Sequence, residues 1–220
     1  MKRILKIGMD VHTTNYTLCA MEPIIGEDDR VFATIKVTPD YKNILMFIEN
    51  LKLKLGLNDE YDIQCGYEAG CLGYSLYNQL TAVGIKCVIL APTTMLTPQG
   101  VRIKTDMRDA YMIAQCLSYG GYHAVYIPTE DDDSVKEYLR MRNDHKLALK
   151  KIKQQINAFC IRHGFCYDGT KWTLSHLKWL KKLEITNGLH RETLDEYMAS
   201  YEEQEAKIER YDKRLSLIHI

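Results

Sequence analysis

The sequence predicts an α/β fold with a mixed sheet, followed by a region of long helices. Three apolar, β-branched runs come first, at residues 4–11, 16–21 and 31–37. Helical and strand-like segments then alternate as far as Ile127, and from Asp131 onward the periodicity is helical alone. Such alternation is typical of a sheet flanked by helices. We therefore predict a first domain at residues 1–130 and a helical region at residues 131–220.

The first three strands are expected to form an antiparallel meander, because short polar segments separate them. His12 to Asn15 has the composition of a turn. Thr38 and Pro39 predict an N-cap and a first helical position, and this helix is expected to end at Gly56. The remaining elements of the domain are predicted as a strand at 61–67, a helix ending at Gly84, a strand at 85–91, a helix from Thr105 to Gly120 and a short strand at 123–127.

The helical region is predicted to contain two long helices and a short one between them. The first begins in the acidic segment at 131–134, where negative charge meets the positive end of the helix dipole, and ends at Gly164. The short helix is expected at 173–182. The last helix is expected from His190, and steps of three and four between its seam residues predict a coiled-coil arm: Leu194, Tyr197, Tyr201, Gln204, Ile208, Tyr211, Leu215 and Ile218.

The chain has 29 basic and 29 acidic residues, but the two signs are separated along the helical region. Residues 134–191 contain thirteen Lys and Arg against four acids, whereas residues 192–214 contain eight acids against four bases. The basic segment is compatible with contacts to a phosphate backbone or with charge pairing inside a hairpin or dimer. Because its positive excess is larger than the acidic helix can neutralise, we favour phosphate contacts over charge pairing alone. We assign these contacts to Lys146, Lys150, Lys151 and Lys153, and a solvated helix face is the alternative for these lysines.

Composition excludes several classes of protein. With 220 residues, 46% of them hydrophobic, the chain can bury a substantial core, which excludes a disordered chain. The seven cysteines show no C-x-x-C spacing, which argues against a zinc site or a disulfide framework. No apolar run approaches the roughly 20 residues of a membrane span, and the apolar run at the N-terminus is too short for a signal peptide. We expect a cytoplasmic protein with reduced thiols and no membrane partner.

Four carboxylates occupy positions suited to metal chemistry. Asp10 and Glu68 end predicted strands, and Asp106 and Asp109 lie three residues apart at a predicted helix start. Converging carboxylates repel one another, and Mg²⁺ relieves this repulsion because it prefers oxygen ligands. Two such ions about 3.5–4 Å apart would activate the nucleophile and stabilise the leaving oxygen in phosphodiester cleavage. For each residue alone, a turn, cap or helix-dipole role is the alternative.

Basic residues flank the second acidic pair. Arg102, Lys104 and Arg108 either hold phosphate groups or relieve the repulsion between the carboxylates, and the sequence leaves both roles open. His12 adjoins Asp10, where it either touches a substrate phosphate or is simply a turn histidine.

The residues around these carboxylates resemble a known family. The segments concerned are Ile7 to His12 (IGMDVH), the strand-end Glu68 and Lys104 to Ala110 (KTDMRDA). Together they are similar to the Asp-Glu-Asp-Asp signature of the DEDD transposases of bacterial insertion sequences, which are regarded as bridge-RNA-guided DNA recombinases. The resemblance continues into the last helix and so covers nearly the whole chain.

The resemblance implies a RuvC-like catalytic domain of the RNase H fold, followed by a coiled coil that helps to assemble subunits on nucleic acid. It implies that Asp10, Glu68, Asp106 and Asp109 are catalytic and bind Mg²⁺, with Mn²⁺ as an alternative ion. The implied activity is metal-dependent DNA transposition or recombination. The implied partners are DNA, a guide (bridge) RNA and further copies of the chain.

One feature of the family has no counterpart in this sequence. Family members carry a nucleophilic serine in a second domain, whereas this chain stops inside an apolar helical pattern at Ile220. We therefore expect a truncated reading frame. A free-standing Holliday-junction resolvase-like nuclease and a non-catalytic nucleic-acid-binding remnant stay open as alternatives.

Overall fold

The computed structural model describes residues 3–24, 28–56, 61–95 and 105–218. The chain divides into two compact units, Met1–Ile127 and Pro128–Ile220. Each unit has its own hydrophobic core. Among the helices described, none is both long and apolar enough to cross a membrane.

The first unit is built on one five-stranded sheet. Its spatial order is β3-β2-β1-β4-β5. The pairs β1–β2 and β2–β3 are antiparallel, whereas β1–β4 and β4–β5 are parallel, so the predicted mixed sheet and antiparallel meander are confirmed. The strands are β1 (Arg3–Val11), β2 (Tyr16–Glu22), β3 (Arg30–Val37), β4 (Tyr61–Glu68) and β5 (Lys86–Leu90).

Three α-helices flank this sheet: α1 (Tyr41–Leu55), α2 (Ser75–Ala82) and α3 (Asp106–Tyr119). The predicted start of α1 is wrong. Its N-cap is Asp40, whose carboxylate accepts a hydrogen bond from the Lys42 backbone N–H, so Thr38 and Pro39 lie before the helix. The left-handed Gly56 ends the helix as predicted.

The strand predicted at residues 123–127 is also wrong. This segment makes a single bridge, between Leu90 and Ala124, supported by hydrogen bonds from Ala91 N to His123 O and from Val125 N to Ile89 O. Pro128 follows the segment and has no backbone N–H to donate, so a ladder could not continue through that residue.

Side chains alternate across β1, and the two faces of the strand meet different helices. Leu5, Ile7 and Met9 are fully buried in a core shared with α1 and α2. The opposite face carries Gly8, where a Cβ atom would lie 2.1 Å from the carbonyl oxygen of Ala110 in α3. Glycine at this position therefore lets the helix backbone rest directly on the strand.

The second unit is a helical assembly of α4 (Glu130–Arg162), α5 (Leu174–Lys182) and α6 (Gly188–Leu215). Contacts between Arg142 and Asp212 and between Lys153 and Glu205 run in opposite sequence directions, so α4 and α6 pair antiparallel within one chain. The α6 residues of the predicted coiled-coil seam that pack here, such as the buried Tyr201, thus face a helix of the same chain. Helix α6 ends at Leu215, so the last seam residue falls beyond it.

Candidate metal centre

The register of the sheet brings three polar residues into one row. Asp10 of β1 pairs with Thr17 of β2, and Thr17 pairs with Lys36 of β3. Residues opposite each other in a sheet point to the same face. That face is the one that carries Gly8 and contacts α3, because Asp10 and Gly8 are two residues apart.

Glu68 reaches the same face from the other side of β1. The parallel pairing of β1 with β4 sets Gly8 beside Gly66, and it extends to Met9 beside Tyr67. Continuing that register by one residue sets Glu68 beside Asp10. Gly66 also faces α3, because a Cβ atom there would lie 2.7 Å from the side chain of Leu117.

The first turn of α3 supplies the other two acids. Thr105 is the N-cap, and its hydroxyl accepts from the backbone N–H of Arg108 at 3.4 Å. Asp106 and Asp109 are the acidic residues of the first turn. The start of α3 as predicted at Thr105 is therefore confirmed, and it sets carboxylates over the row of strand residues.

Three side chains form a compact group at this point. One oxygen of Asp10, one nitrogen of His12 and one oxygen of Asp106 all lie within 4.8 Å of one another, in the part of the chain that the structure describes. His12 Nε2 is 3.2 Å from Asp10 Oδ2. Lys36 Nζ is 2.7 Å from Asp106 Oδ2.

Electrostatics distinguish the two aspartates of this group. Burial raises the pKa of Asp10, His12 opposes this, and the charges of Asp109 and Asp106 raise it further. The hydrogen bond from Lys36 lowers the pKa of Asp106. An added cation would therefore stabilise the charged form of Asp10, which burial and the neighbouring aspartates disfavour.

The donor set fits a divalent cation. Carboxylate oxygens suit Mg²⁺ and Mn²⁺, and an imidazole nitrogen is a more usual ligand of transition ions, so His12 favours Mn²⁺. Two observations agree with a cation here. Lys36 already brings one positive charge to Asp106. The Thr17 hydroxyl, in the same row, is buried with no hydrogen-bond partner among the described residues.

Comparison with known proteins assigns the family. The family model of the IS110-type DEDD transposases, described as a transposase, matches residues 7–161. This chain belongs to that transposase family. The matched segment includes all four carboxylates of the predicted signature.

Two curated relatives are also named as transposases. The transposase for insertion sequence element IS1533 of Leptospira borgpetersenii is 32% identical over 222 aligned positions, which cover 99% of this chain and 62% of that protein. The transposase y4qE of Sinorhizobium fredii is 36% identical over 131 positions, which cover 59% of this chain and 34% of that protein. The chain thus spans less than two thirds of the length of either relative.

Among solved structures, RuvC of Thermus thermophilus is matched both alone and in complex with a Holliday junction substrate. The identities are 13% and 14%, each match covers 55% of this chain and 99% of RuvC, and the TM-score is 0.35 in both cases. The sheet itself carries the fold assignment: three antiparallel strands continued by two parallel ones, with helices on both faces. The predicted α/β fold of this chain, a mixed sheet flanked by helices, is confirmed.

The structure brings some of the predicted site residues of this chain together and leaves others apart. Asp10 and Asp106 converge, and Asp109 is near enough to influence Asp10. Neither Asp109 nor the half-buried Glu68 joins a group of three ligand atoms within 4.8 Å among the described residues. Arg108 is exposed, and Arg102 and Lys104 lie outside the described residues.

Lys36 is the functional candidate that the sequence argument missed. It lies on an edge strand in a run that gave no chemical signal, and 70 residues separate it from Asp106. The strand alternation of β3, combined with the register of the meander, is the only signal that points to it. The sequence predicts a phosphate contact or a turn role for His12, whereas its position beside Asp10 and Asp106 also makes its ring nitrogen a candidate metal ligand.

The lysines predicted to contact phosphate differ in their surroundings. Lys146, Lys150 and Lys151 are exposed on α4. Lys153 is half-buried, with its Nζ 3.6 Å from Glu205 Oε1 and 5.3 Å from the ring centroids of Trp172 and Tyr201. Charge pairing inside the helical hairpin is therefore observed for Lys153, whereas the other three present their charges to solvent.

Proposed function

We propose that this chain is the metal-dependent catalytic part of a DNA transposase or recombinase of an insertion sequence. The observation that carries the proposal is the convergence of Asp10 and Asp106 with His12, in a chain of the IS110-type transposase family. The first unit would hold the catalytic site, and the helical unit would hold nucleic acid and subunits.

The four carboxylates have distinct roles in this proposal. Asp10 and Asp106 would bind Mg²⁺ or Mn²⁺ directly, and Glu68 and Asp109 would complete the ligand set from β4 and α3. The bound ions would generate a nucleophilic oxygen and stabilise the leaving oxygen during phosphodiester cleavage. The strand ends and the first helical turn hold these carboxylates on rigid elements, which favours a fixed geometry.

Recognition of nucleic acid is assigned to basic side chains. Arg108 would contact phosphates beside the metal centre, together with Arg102 and Lys104. Lys146, Lys150 and Lys151 on α4 would contact the backbone of DNA or of a guide RNA, because exposed lysines on one helix can neutralise successive phosphates. Lys153 is left out of this contact set because it packs within the hairpin.

Subunit assembly is assigned to the outer surface of the helical pair. Leu139, Leu147 and Ile161 of α4 are exposed, with 42%, 57% and 69% of their surfaces accessible. Exposed leucine and isoleucine side chains on a long helix are suited to contact another helix. We propose that a second copy of the chain covers them, which light scattering of the purified protein would test.

The function is tested by calorimetry and by DNA cleavage. Titration of Mn²⁺ or Mg²⁺ is expected to show binding that Asp106→Asn and Asp10→Asn each weaken by at least tenfold. Asp131→Asn is the matched control, because Asp131 is an exposed acid in the first turn of α4. Metal-dependent nicking of labelled insertion-end DNA is expected from the same chain. Equal metal affinity in all variants would refute the metal centre.

Cleavage substrates separate the alternatives. Preferential cleavage of four-way junctions would favour a resolvase-like nuclease. Binding of DNA without metal-dependent cleavage of either substrate would favour a non-catalytic remnant.

A further inference from the structure

The ion pair between Lys36 and Asp106 joins the edge of the sheet to the metal centre. Lys36 Nζ lies 2.7 Å from Asp106 Oδ2, which is a charge-assisted hydrogen bond. Asp106 is also one of the three residues whose ligand atoms converge. The carboxylate of Asp106 therefore binds the ammonium group of Lys36 and would also be a ligand of the proposed metal.

The position of Lys36 follows from the sheet and is not accidental. Asp10, Thr17 and Lys36 are paired in successive strands and share the face under α3. With strands about 4.8 Å apart, Lys36 starts about 10 Å from Asp10, a distance that a lysine side chain covers most of when it turns inward. Thr17, which lies between them in the row, is buried and has a short side chain.

The pair is suited to exchange. The Lys36 and Asp106 side chains are 53% and 40% exposed, and ion pairs with this exposure are weak. The lysine ammonium is a compact charge on a flexible stem, so it can leave one carboxylate without disturbing the strand that carries it. A divalent ion carries twice the charge and can bind Asp10 and Asp106 together.

We infer that Lys36 is a tethered counter-ion, which neutralises Asp106 in the metal-free protein and which a divalent ion must displace in order to bind. This inference rests on the proposed metal centre. Its consequence is that Lys36 sets the concentration of Mg²⁺ or Mn²⁺ at which the centre fills. A lysine that served only to attach β3 to α3 would not compete with the metal.

Two variants and one control test the competition by calorimetric titration of Mn²⁺. Lys36→Met removes the ammonium and keeps the length of the side chain, so we expect Mn²⁺ to bind about two- to fivefold more tightly. Lys36→Arg keeps the positive charge and is expected to retain the weaker affinity of the unsubstituted chain. Lys86→Met is the matched control, because Lys86 pairs with Asp62 at 2.6 Å on a different part of the sheet.

A second measurement needs no variant. Reductive methylation of the unsubstituted chain, read by mass spectrometry, reports how accessible each lysine amine is. Addition of Mn²⁺ is expected to raise the modification rate of Lys36 and to leave that of Lys86 unchanged. Circular dichroism of each variant checks that the fold is retained.

The outcomes distinguish this inference from the proposed function. If Lys36→Met binds Mn²⁺ no more tightly than the unsubstituted chain while Asp106→Asn weakens binding by at least tenfold, the counter-ion role is refuted and the metal centre stands. If neither the unsubstituted chain nor Lys36→Met binds Mn²⁺, the proposed metal centre is refuted, and the inference with it. The inference is supported if Lys36→Met binds Mn²⁺ more tightly while Lys36→Arg and Lys86→Met do not, and if Mn²⁺ speeds the methylation of Lys36 in the unsubstituted chain.

Discussion

Replacing Gly8 by alanine is expected to move α3 away from the sheet and so to separate the ligands of the proposed metal centre. The added Cβ would lie 2.1 Å from Ala110 O and 2.3 Å from Ala114 N. Both are backbone atoms, so no side-chain rotation relieves the contact. To restore an ordinary contact of about 3.4 Å, helix and strand must separate by about 1.3 Å. Overpacking of this kind costs about 1–3 kcal/mol.

The same displacement acts on the site, because Asp106 is carried by α3 and Asp10 by β1. A separation of about 1.3 Å exceeds the roughly 0.5 Å within which the ligands of a functional site must be held. Gly8→Ala is therefore expected to lose Mn²⁺ affinity as well as stability. Calorimetry measures the first effect, and urea unfolding followed by circular dichroism measures the second.

Alanine substitutions at two other glycines provide a comparison for the expected loss of stability. At Gly66 the obstacle is the tip of the flexible Leu117 side chain, so Gly66→Ala is expected to cost less than Gly8→Ala. At Gly70 the nearest atom to a Cβ is 3.9 Å away, so Gly70→Ala is expected to be neutral. If Gly8→Ala is as stable as Gly70→Ala and binds Mn²⁺ with the affinity of the unsubstituted chain, the close contact between Gly8 and α3 is not needed for stability or for metal binding.

Three further predictions concern the rest of the chain. Asp29→Ala is expected to destabilise the first unit by about 1–3 kcal/mol in urea unfolding, because its carboxylate accepts hydrogen bonds from three side chains of α3. The second unit is expected to lose stability as pH falls below about 6.5, because burial, and then Lys171, lower the pKa of His176, whose Nδ1 accepts from Trp172 N at 3.0 Å. The double variant Lys150→Gln and Lys151→Gln is expected to weaken DNA binding and to reduce the slope of log affinity against log salt by about 2 in anisotropy titrations.

Each of these has a matched comparison. Asp28→Ala removes the exposed neighbouring acid and should leave stability unchanged. His176→Asn keeps an acceptor and removes the titration, so tryptophan fluorescence should show a shallower dependence on pH. The sign follows from a folded-state pKa below the unfolded one: protons then favour the unfolded state. Lys153→Gln should lower the stability of the second unit and leave the salt slope of DNA binding nearly unchanged, since Lys153 lies over two aromatic rings. An unaltered salt slope in the double variant would remove α4 from the nucleic-acid surface.

Local signals predicted most of the strands and helices because they depend on residues close in sequence. Apolar alternation located the strands of the meander to within about a residue at each end, and the caps at Thr105 and Gly56 fixed two helix ends. The predicted start of α1 is wrong because two residues with capping side chains flank Pro39. The N-cap is Asp40, which follows the proline, and not Thr38, which precedes it.

The site could be predicted only in part, for a physical reason. Carboxylates at strand ends and in a helix first turn are visible in sequence, and Asp10 and Asp106 converge as the pattern suggested. The partner of Asp106 was not visible, because Lys36 reaches it through pairing across two strand boundaries. Likewise, the sequence could show the heptad spacing of α6 but not whether the seam would face its own chain or another.

The two faces of β1 differ in how well they tolerate substitution. Leu5, Ile7 and Met9 pack in the core on the face opposite α3, together with α1, α2 and the neighbouring strands, so substitutions there change the stability of the domain more than the geometry of the acidic face. Gly8 has no such latitude, since main chain meets main chain at that point. Drift of the hydrophobic interior and preservation of the acidic centre are thereby compatible within a single strand.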